Sequence, residues 1–517
     1  MRHLFSIFLT FICFLSVGQI DVQSYSIELA VSDTSDVIDA TNTILIEFTE
    51  DCTEFSLDLI SKNEEGKGME VIDIQEFGQT IKFQQFNNKL IIYPMQGKQG
   101  GQFFYKIDYR GIPIDGLVIG TNKFEERTFF GDNWPNRARN WFPCVDHPSD
   151  KASISYRIFA PSHYSCIANG EFDRRNELPN NLAETIYRSI IPLPTKVMVV
   201  GIADFALKNI ENKHGFPHSI WAYKRDKKNG FFDMDVAPSP LNFFIEKIGP
   251  YPYEKLANVQ STTRFGGMEN AGCIFYDEDA VNGQGKMENL IAHEIAHQWF
   301  GNSASESDWQ HIWLSEGFAT YFTNLYLENK YGRDQMNEQL IKDRDRVINF
   351  SHSYLTPIID TVSTELMYLL NPNSYQKGSW VLHMLRNKVG KNSFWAGIRA
   401  YYEKFKYSNA SSNDFIEVMQ AQTDIELSAF FDQWLRKSGH PILKTSFNKG
   451  QIEISQLQPD VIFTFPLEVE FVGINGDLFS QTFQIDERTK KIKIEQFEKI
   501  KSYKLDPKIN LLFENVE

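Results

Sequence analysis

Two histidines four residues apart, His293 and His297, constrain this chain more than any other feature. Residues four apart on an α-helix project from the same face, so the pair acts together only if this segment is helical. Two imidazoles placed in this way can bind one Zn²⁺ ion, at about 2.0–2.1 Å from each nitrogen. The spacing therefore predicts a helix that carries part of a metal site.

Two glutamates complete the predicted site. A catalytic zinc ion keeps three protein ligands and one open position. Glu316 lies in a second apolar, helix-like segment, far enough along the chain to fold back as the third ligand. Glu294, next to the first histidine, has the position of the general base in this motif. The alternative is a pair of surface histidines beside a solvated glutamate, and it is disfavoured by Glu316 and by the next two motifs.

A second motif, Gly266-Gly267-Met268-Glu269-Asn270, comes shortly before the histidines. Two adjacent glycines allow the backbone to approach a ligand closely. The Glu269 carboxylate can bind a free α-amino group, which is a cation at neutral pH. The segment therefore predicts a substrate-binding site, with Met268 as one candidate wall of a side-chain pocket. A tight turn with an exposed glutamate is the alternative.

A third motif places Tyr375 before an apolar helical segment that begins near Ser379. A tyrosine hydroxyl close to a metal can stabilise the oxyanion of a tetrahedral intermediate. The alternative is a half-buried structural tyrosine, which is a common role in a chain with 21 tyrosines. This motif therefore gains weight only together with the other two.

The length of 517 residues predicts several domains, because one hydrophobic core does not grow to that size. Residues 19–205 contain segments of alternating apolar and polar residues, which predict an N-terminal β-sheet domain. From 206 to 440 the apolar spacing turns helical, with helices predicted at 286–301, 315–330, 379–389 and 393–405. Residues 441–517 return to strand alternation and predict a small C-terminal β-sandwich. The predicted fold class is multidomain α+β.

The N-terminus predicts export. Arg2 supplies a positive charge, residues 4–17 form a short apolar run, and Ser16 and Gly18 offer a small-residue cleavage site. We expect residues 1–18 to be a signal peptide and the mature protein to be periplasmic or extracellular. No stable membrane span is expected after cleavage, because the run is short for a membrane. An uncleaved anchor is the alternative.

Charge and cysteine content exclude other classes. The net charge of −15 disfavours nucleic acid as a partner, because phosphate binding needs a basic surface. The cysteines beyond the signal show no C-x-x-C spacing and are too few for a disulfide-built fold. They are Cys52, Cys144, Cys166 and Cys273. Whether these cysteines form one or two disulfides is left open by the sequence.

Taken together, these motifs resemble those of the zinc aminopeptidases of the aminopeptidase N type, a gluzincin metallopeptidase family. The resemblance covers nearly the whole mature chain, and its order and spacing are far more specific than the zinc motif alone. The matching segments are 139–146, 200–205, 267–270, 293–302, the Trp-Leu-x-Glu-Gly-Phe-Ala stretch around Glu316, and Tyr-x-Lys-Gly at Tyr375.

The resemblance implies a thermolysin-like catalytic domain with one zinc ion, bound by His293, His297 and Glu316. It implies that Glu294 takes a proton from the attacking water and passes it to the leaving amine. It also implies that Tyr375 stabilises the oxyanion together with the metal. The implied reaction is hydrolysis of the N-terminal peptide bond by zinc-activated water.

The resemblance also implies the substrate and its pose. Peptides with a free α-amino group are the implied partners, and Glu269 binds that group so that cleavage is restricted to the first peptide bond. Gly266 and Gly267 hold the peptide backbone in an extended pose.

The chain departs from the family pattern in three places. Relatives often have a second amine-binding Gln or Glu in the N-terminal domain, where counting along this chain gives Trp134. Relatives commonly have an acidic residue seven positions after the third ligand, where this chain has Thr323. After residue 440 the pattern predicts strands, so we do not expect the large helical C-terminal domain of many relatives. A thermolysin-type endopeptidase, which has no need of Glu269, and a non-catalytic peptide-binding relative are the alternatives.

Overall fold

Three regions follow one another along the described part of the chain. The computed structural model describes residues 20–448, 450–495 and 500–516, and the predicted signal peptide at 1–18 lies outside them. A β-sheet domain comes first, a domain of one sheet and many helices second, and a small β-domain last. The predicted fold class is confirmed.

The N-terminal domain consists mainly of strands. Their bounds are β1 Ile20–Ala30, β2 Ile38–Phe48, β3 Phe55–Asp58, β4 Gly68–Glu76, β5 Gln79–Thr80, β6 Phe83–Phe86, β7 Lys89–Ile92, β8 Gln102–Ile112, β9 Leu117–Thr121, β10 Arg127–Gly131, β11 Lys151–Pro161, β12 Ser165–Ala168, β13 Glu171–Leu178, β14 Leu182–Pro194 and β15 Val200–Ala203. Eight of them form one sheet in the order β13-β14-β11-β1-β2-β8-β4-β5. Every second residue of β2 is buried, as Ile44 and Ile46 are, so the alternation in the sequence gives the sheet an inner and an outer face.

The second region begins with a five-stranded sheet, in the order β16-β17-β18-β20-β19. Its strands are β16 Phe205–Ile210, β17 His218–Tyr223, β18 Leu256–Ser261, β19 Gly267–Met268 and β20 Cys273–Asp277. The predicted onset of helical structure at 206 is therefore wrong for this stretch. All six residues of β18 are buried, and two of its polar side chains bond inside the protein: Asn258 to His218, and Gln260 to Asp226. Because both faces are covered, the strand lacks the apolar and polar alternation that reveals a half-buried strand.

The helices follow the sheet. Their bounds are α1 Lys227–Asp233, α2 Pro238–Lys247, α3 Glu288–His297, α4 Trp313–Tyr331, α5 Arg333–Ser351, α6 Gly378–Val389, α7 Lys391–Phe405, α8 Ser412–Gln420 and α9 Ser428–Phe431. Two short strands, β21 Ala304–Glu306 and β22 Ser408–Ala410, pair among them. Helix α4 lies at the centre and packs against α3, α5 and α6.

Helices α4 and α6 meet through two glycines. A Cβ atom on Gly317 would lie 2.9 Å from the Cα atom of Gly378, which is closer than packed carbon atoms approach. Only glycine allows the two backbones to touch in this way. The contact holds the segment before α6 directly against the start of α4.

The C-terminal region forms two small sheets among the described residues. Its strands are β23 Ile442–Asn448, β24 Gln451–Gln456, β25 Phe465–Gly473, β26 Leu478–Ile485, β27 Thr489–Lys493, β28 Ile500–Leu505 and β29 Glu514–Val516. The sheet orders are β27-β24-β23-β29 and β26-β25-β28. Leu443, Ile454 and Leu467 are fully buried and belong to the same continuous hydrophobic core as the buried residues of the other two regions.

The structure also shows the state of the cysteines and the hydropathy of the helices. Cys52, Cys144, Cys166 and Cys273 are all buried free thiols, so the disulfides that the cysteine count left open do not form among the described residues. Within those residues, no helix combines the length and the apolarity that crossing a membrane requires.

Candidate metal centre and active site

Helix α3 places His293 and His297 on one face, one turn apart. Their Nε2 atoms lie 3.1 Å from each other. His297 is buried, whereas His293 is partly exposed at the edge of a cavity. The two ring nitrogens therefore converge on one point at the cavity surface.

Helix α4 brings Glu316 to the same point. Its Oε2 atom lies 3.5 Å from His293 Nε2 and 3.3 Å from His297 Nε2, and it has no hydrogen-bond partner among the described residues. In a tetrahedral zinc site with bonds of about 2.0–2.1 Å, neighbouring ligand atoms lie about 3.3–3.4 Å apart. The three ligand atoms have this spacing, so the residues fit a zinc ion.

The contacts behind His297 show how the ligand is held in place. Its Nδ1 atom lies 3.2 Å from the Phe300 carbonyl oxygen and 3.0 Å from Ser315 Oγ. Such contacts fix the tautomer and orientation of a metal-binding imidazole. Thr323 takes no part, because its hydroxyl donates to the Ala319 carbonyl within α4. The role given to an acidic residue elsewhere in the family is therefore not taken over at position 323 in this chain.

Glu294 lies beside the ligands, with only 4% of its surface exposed. Strand β19 runs close against it, since a Cβ atom on Gly267 would lie 2.6 Å from Cδ and 2.8 Å from Cγ of Glu294. The glycine therefore makes room for the carboxylate between the strand and the metal ligands. Gly266, one residue earlier, is exposed, and a Cβ atom there would meet no atom within 4 Å.

Glu269 follows β19 and is held by its backbone. Its carbonyl oxygen accepts hydrogen bonds from Gln298 Nε2 at 2.8 Å and Asn302 Nδ2 at 2.6 Å, both just beyond α3. The side chain faces the cavity, and its Oε1 atom has no hydrogen-bond partner among the described residues. A buried carboxylate oxygen without a donor suits a cationic ligand. Asn270 is fully buried next to it.

Tyr375 lies in a π-helical turn, Asn373–Lys377, directly before α6. Its ring stacks on the His293 imidazole, with 6.0 Å between centroids and 12° between planes. Burial raises the pKa of Tyr375 well above its ordinary value, and the Glu316 carboxylate raises it further. The phenol is therefore held as a neutral hydrogen-bond donor on the metal side of the cavity.

The electrostatics of the cavity follow from burial. Burial raises the pKa of Glu294 well above its ordinary value, and the Glu269 and Glu316 carboxylates add to the rise. Burial by itself lowers the pKa of His297, but the Glu316 and Glu269 carboxylates outweigh it and raise the pKa to about 9. Three carboxylates and two imidazoles thus lie together at the cavity, and the carboxylate oxygens offer hydrogen-bond acceptors to a cationic group.

The rest of the cavity surface is apolar. We call Trp134, Phe265, Met268 and Leu370, which all line the cavity, the apolar wall. Trp134 reaches it from the N-terminal domain, through the turn after β10. Its ring contacts Phe265 edge to face at 6.4 Å and Trp309 at 5.8 Å between centroids.

The ten site residues predicted from the sequence all lie in one region of the structure. Several other residues that position them or line the cavity were not predicted. Gln298 and Asn302 lie in the segment that carried the resemblance, yet no role was assigned to them. Ser315 stands next to the third ligand, and its hydroxyl is the only signal of its contact with His297. Phe265 precedes the glycine pair, whereas Leu370 has no sequence signal that we recognise.

Models of one protein family match two parts of the chain. The Peptidase M1 N-terminal domain matches residues 22–196, and the Peptidase family M1 domain matches residues 232–434. The second match includes both histidines, Glu294, Glu316, Glu269 and Tyr375.

Two aminopeptidases are similar to this chain in sequence, and one solved structure is similar to it in fold. Glutamyl aminopeptidase from Sus scrofa is 27% identical over 327 residues, which are 60% of this chain and 35% of that protein. Probable aminopeptidase 1 from Sulfurisphaera tokodaii is 28% identical over 462 residues, which are 82% of this chain and 56% of that protein. The chain thus spans about a third of the length of the mammalian relative. A single-site mutant of an M1 zinc metallopeptidase from Deinococcus radiodurans has the same fold, with a TM-score of 0.71 and 23% identity over 82% of this chain and 96% of that one.

Proposed function

The chain belongs to peptidase family M1, and on this basis we propose that it is a zinc-dependent aminopeptidase that removes the first residue of peptides with a free α-amino group. One observation carries the proposal: the unpartnered, buried carboxylate of Glu269 lies in the same cavity as the three converging ligand atoms. A metal centre alone suits many hydrolases. An anionic group for the substrate amine beside it suits cleavage next to a free N-terminus.

His293, His297 and Glu316 would hold the zinc ion. Bound there, zinc would supply Lewis acidity that makes a water molecule a better nucleophile and polarises the scissile carbonyl. Ser315 and the Phe300 carbonyl hold the His297 ring from behind, so this ligand keeps its orientation when the substrate binds.

Glu294 and Tyr375 move and stabilise charge around the reacting carbonyl. Glu294 accepts the proton of the attacking water and delivers it to the leaving amine. Tyr375 donates a hydrogen bond to the carbonyl oxygen as negative charge develops on it. Both side chains are held before substrate arrives, Glu294 by β19 and Tyr375 by the glycine contact between α4 and α6.

Glu269 sets which bond is cut. Its carboxylate binds the α-ammonium group of the substrate, so the first peptide bond comes to lie over the metal ligands. Gln298 and Asn302 fix the backbone of Glu269 relative to α3, and therefore fix the distance between the amine site and the metal site. This fixed distance turns binding of the amine into positioning of the bond.

A matched pair of peptides tests the proposal. We expect rapid cleavage of a free-amine peptide, loss of activity with a chelator, and recovery on adding Zn²⁺. Its N-acetylated twin, which lacks the cationic amine, should be cleaved at least about 100-fold more slowly. Equal cleavage of the twins would favour a thermolysin-type endopeptidase. No hydrolysis by the zinc-loaded protein would favour a non-catalytic peptide-binding protein.

Gly267→Ala tests the close contact between β19 and the base. The added methyl group collides with Glu294, and displacement of a catalytic group by about 1 Å can cost about 100-fold in rate. We therefore expect kcat/KM to fall by about this factor, with unchanged zinc content. Gly120→Ala in β9 is the control, because its methyl group enters open space outside the predicted site and should cause a much smaller loss. Similar losses in the two variants would contradict the steric explanation.

We further propose that the protein is exported. The positive charge of Arg2 and the apolar run at 4–17 support this location. Cleavage near residue 18 would leave a mature protein that begins just before β1 at Ile20.

A further inference from the structure

The apolar wall offers a surface for the side chain of the first substrate residue. Met268 lies directly before Glu269 in the chain, so a substrate held by its amine at Glu269 places its first side chain next to this wall. Trp134 and Met268 are each only 2% exposed, and Phe265 packs against the Trp134 ring. The surface is thus built from four apolar side chains, none of which carries a charge.

Two arginines near the wall, Arg137 and Arg264, are already paired with carboxylates. Arg137 forms ion pairs with Asp115 at 2.8 Å and Asp132 at 2.5 Å. Arg264 forms an ion pair with Asp115 at 3.1 Å. No lysine or arginine is among the described residues that line the cavity. An acidic side chain would therefore enter the pocket without a counter-charge.

The other polar groups of the cavity also oppose charged side chains. Glu269 and Glu294 are carboxylates that offer a substrate carboxylate no hydrogen-bond donor, and burying an unpaired carboxylate is strongly unfavourable. A basic side chain gains no partner at the wall, because none of the four apolar side chains offers an oxygen that could accept from an ammonium or guanidinium group. Uncharged apolar side chains avoid both costs.

We propose that this site selects peptides whose first residue is uncharged and apolar, such as leucine or methionine, with Trp134 as a specificity-determining residue. The inference rests on the proposed aminopeptidase activity. It sets the chain apart from the glutamyl aminopeptidases that it resembles in sequence, whose name specifies an acidic first residue.

A panel of aminoacyl substrates tests the proposal on the zinc-loaded protein. With one fluorogenic leaving group and leucine, methionine, glutamate, aspartate or lysine as the first residue, we expect kcat/KM for leucine and methionine to exceed the other values by about 100-fold. Glutamate, aspartate or lysine at or above leucine would overturn the inference and leave the aminopeptidase proposal intact. Hydrolysis of none of the five would instead overturn the aminopeptidase proposal and this inference with it.

Two substitutions test Trp134 itself. Trp134→Arg places a counter-charge in the wall and should raise the ratio of glutamyl to leucyl kcat/KM at least about tenfold. Trp134→Gln, equally polar but uncharged, is the matched control and should raise it far less. An unchanged ratio of glutamyl to leucyl kcat/KM in a folded, zinc-loaded Trp134→Arg protein would show that Trp134 does not determine specificity.

A binding measurement covers the case in which the Trp134 variants do not fold. Titration of free L-leucine and L-glutamate into the Glu294→Gln protein reports the preference of the pocket without turnover. We expect leucine to bind at least about tenfold more tightly than glutamate, because the two share the α-amino and carboxylate groups and differ only in the side chain. Equal or tighter binding of glutamate would overturn the inference.

Discussion

Glu294→Gln is expected to lower kcat by about 10²–10⁴-fold while the protein keeps its zinc ion. The amide has the shape of the carboxylate but cannot accept and return the proton. Glu294 is not one of the residues His293, His297 and Glu316 whose ligand atoms converge between α3 and α4, so metal binding should be preserved. Steady-state kinetics on a free-amine substrate, together with metal analysis of the same preparation, measures both quantities.

The control for this substitution is Glu417→Gln, which removes a carboxylate from the exposed face of α8. It should leave kcat unchanged, which shows that a loss of one negative charge is not itself the cause. Retention of activity in the Glu294→Gln protein would move the general base to another residue. Loss of zinc together with activity would instead assign Glu294 a structural role at the metal site.

Glu269→Gln is expected to reduce kcat/KM for free-amine substrates by about 100-fold or more. Removing one partner of a buried, hydrogen-bonded charge pair typically costs about 2–5 kcal/mol, and each 1.4 kcal/mol corresponds to a factor of ten. We expect KM to rise and kcat to fall, because the carboxylate positions the substrate as well as binding it.

The same variant should nearly abolish the distinction between a peptide and its N-acetylated twin. Cleavage of the acetylated twin, slow in the wild type, should change little in the Glu269→Gln protein. The discriminating quantity is therefore the ratio of the two kcat/KM values, which is insensitive to the fraction of active enzyme. Parallel losses on both peptides would show that Glu269 acts on the structure of the site and not on the amine.

The metal site could be predicted because its ligands lie in short segments whose residue spacing is visible in the sequence. The four-residue spacing of His293 and His297 specifies one helical face, and Glu316 lies in an apolar segment whose helical spacing is equally clear. The residues that hold these ligands were less accessible to sequence reasoning. Ser315 meets His297 only because α3 and α4 pack together, and a contact between helices has no signature in either one.

The sheet that begins the catalytic domain was missed for a related reason. Strand β18 is buried on both faces and carries polar residues that bond to other strands and loops, so its sequence shows neither alternation nor a continuous apolar run. Its partners, such as His218 and Asp226, lie more than 30 residues away in the chain. Long-range satisfaction of buried polar groups is a tertiary property, and the local pattern cannot reveal it.

The metal ligands and one residue of the apolar wall come from different domains of this protein. The metal ligands lie on α3 and α4, whereas Trp134 is supplied by the N-terminal domain and is held there by Arg137, which donates to its carbonyl oxygen. The buried ion pair between Lys196 and Glu306 joins the two domains nearby. On the proposed function, mutations in the turn after β10 would change which first residue is removed without altering the metal ligands. Substrate preference and metal binding would then be able to change independently of each other, in evolution or by protein engineering.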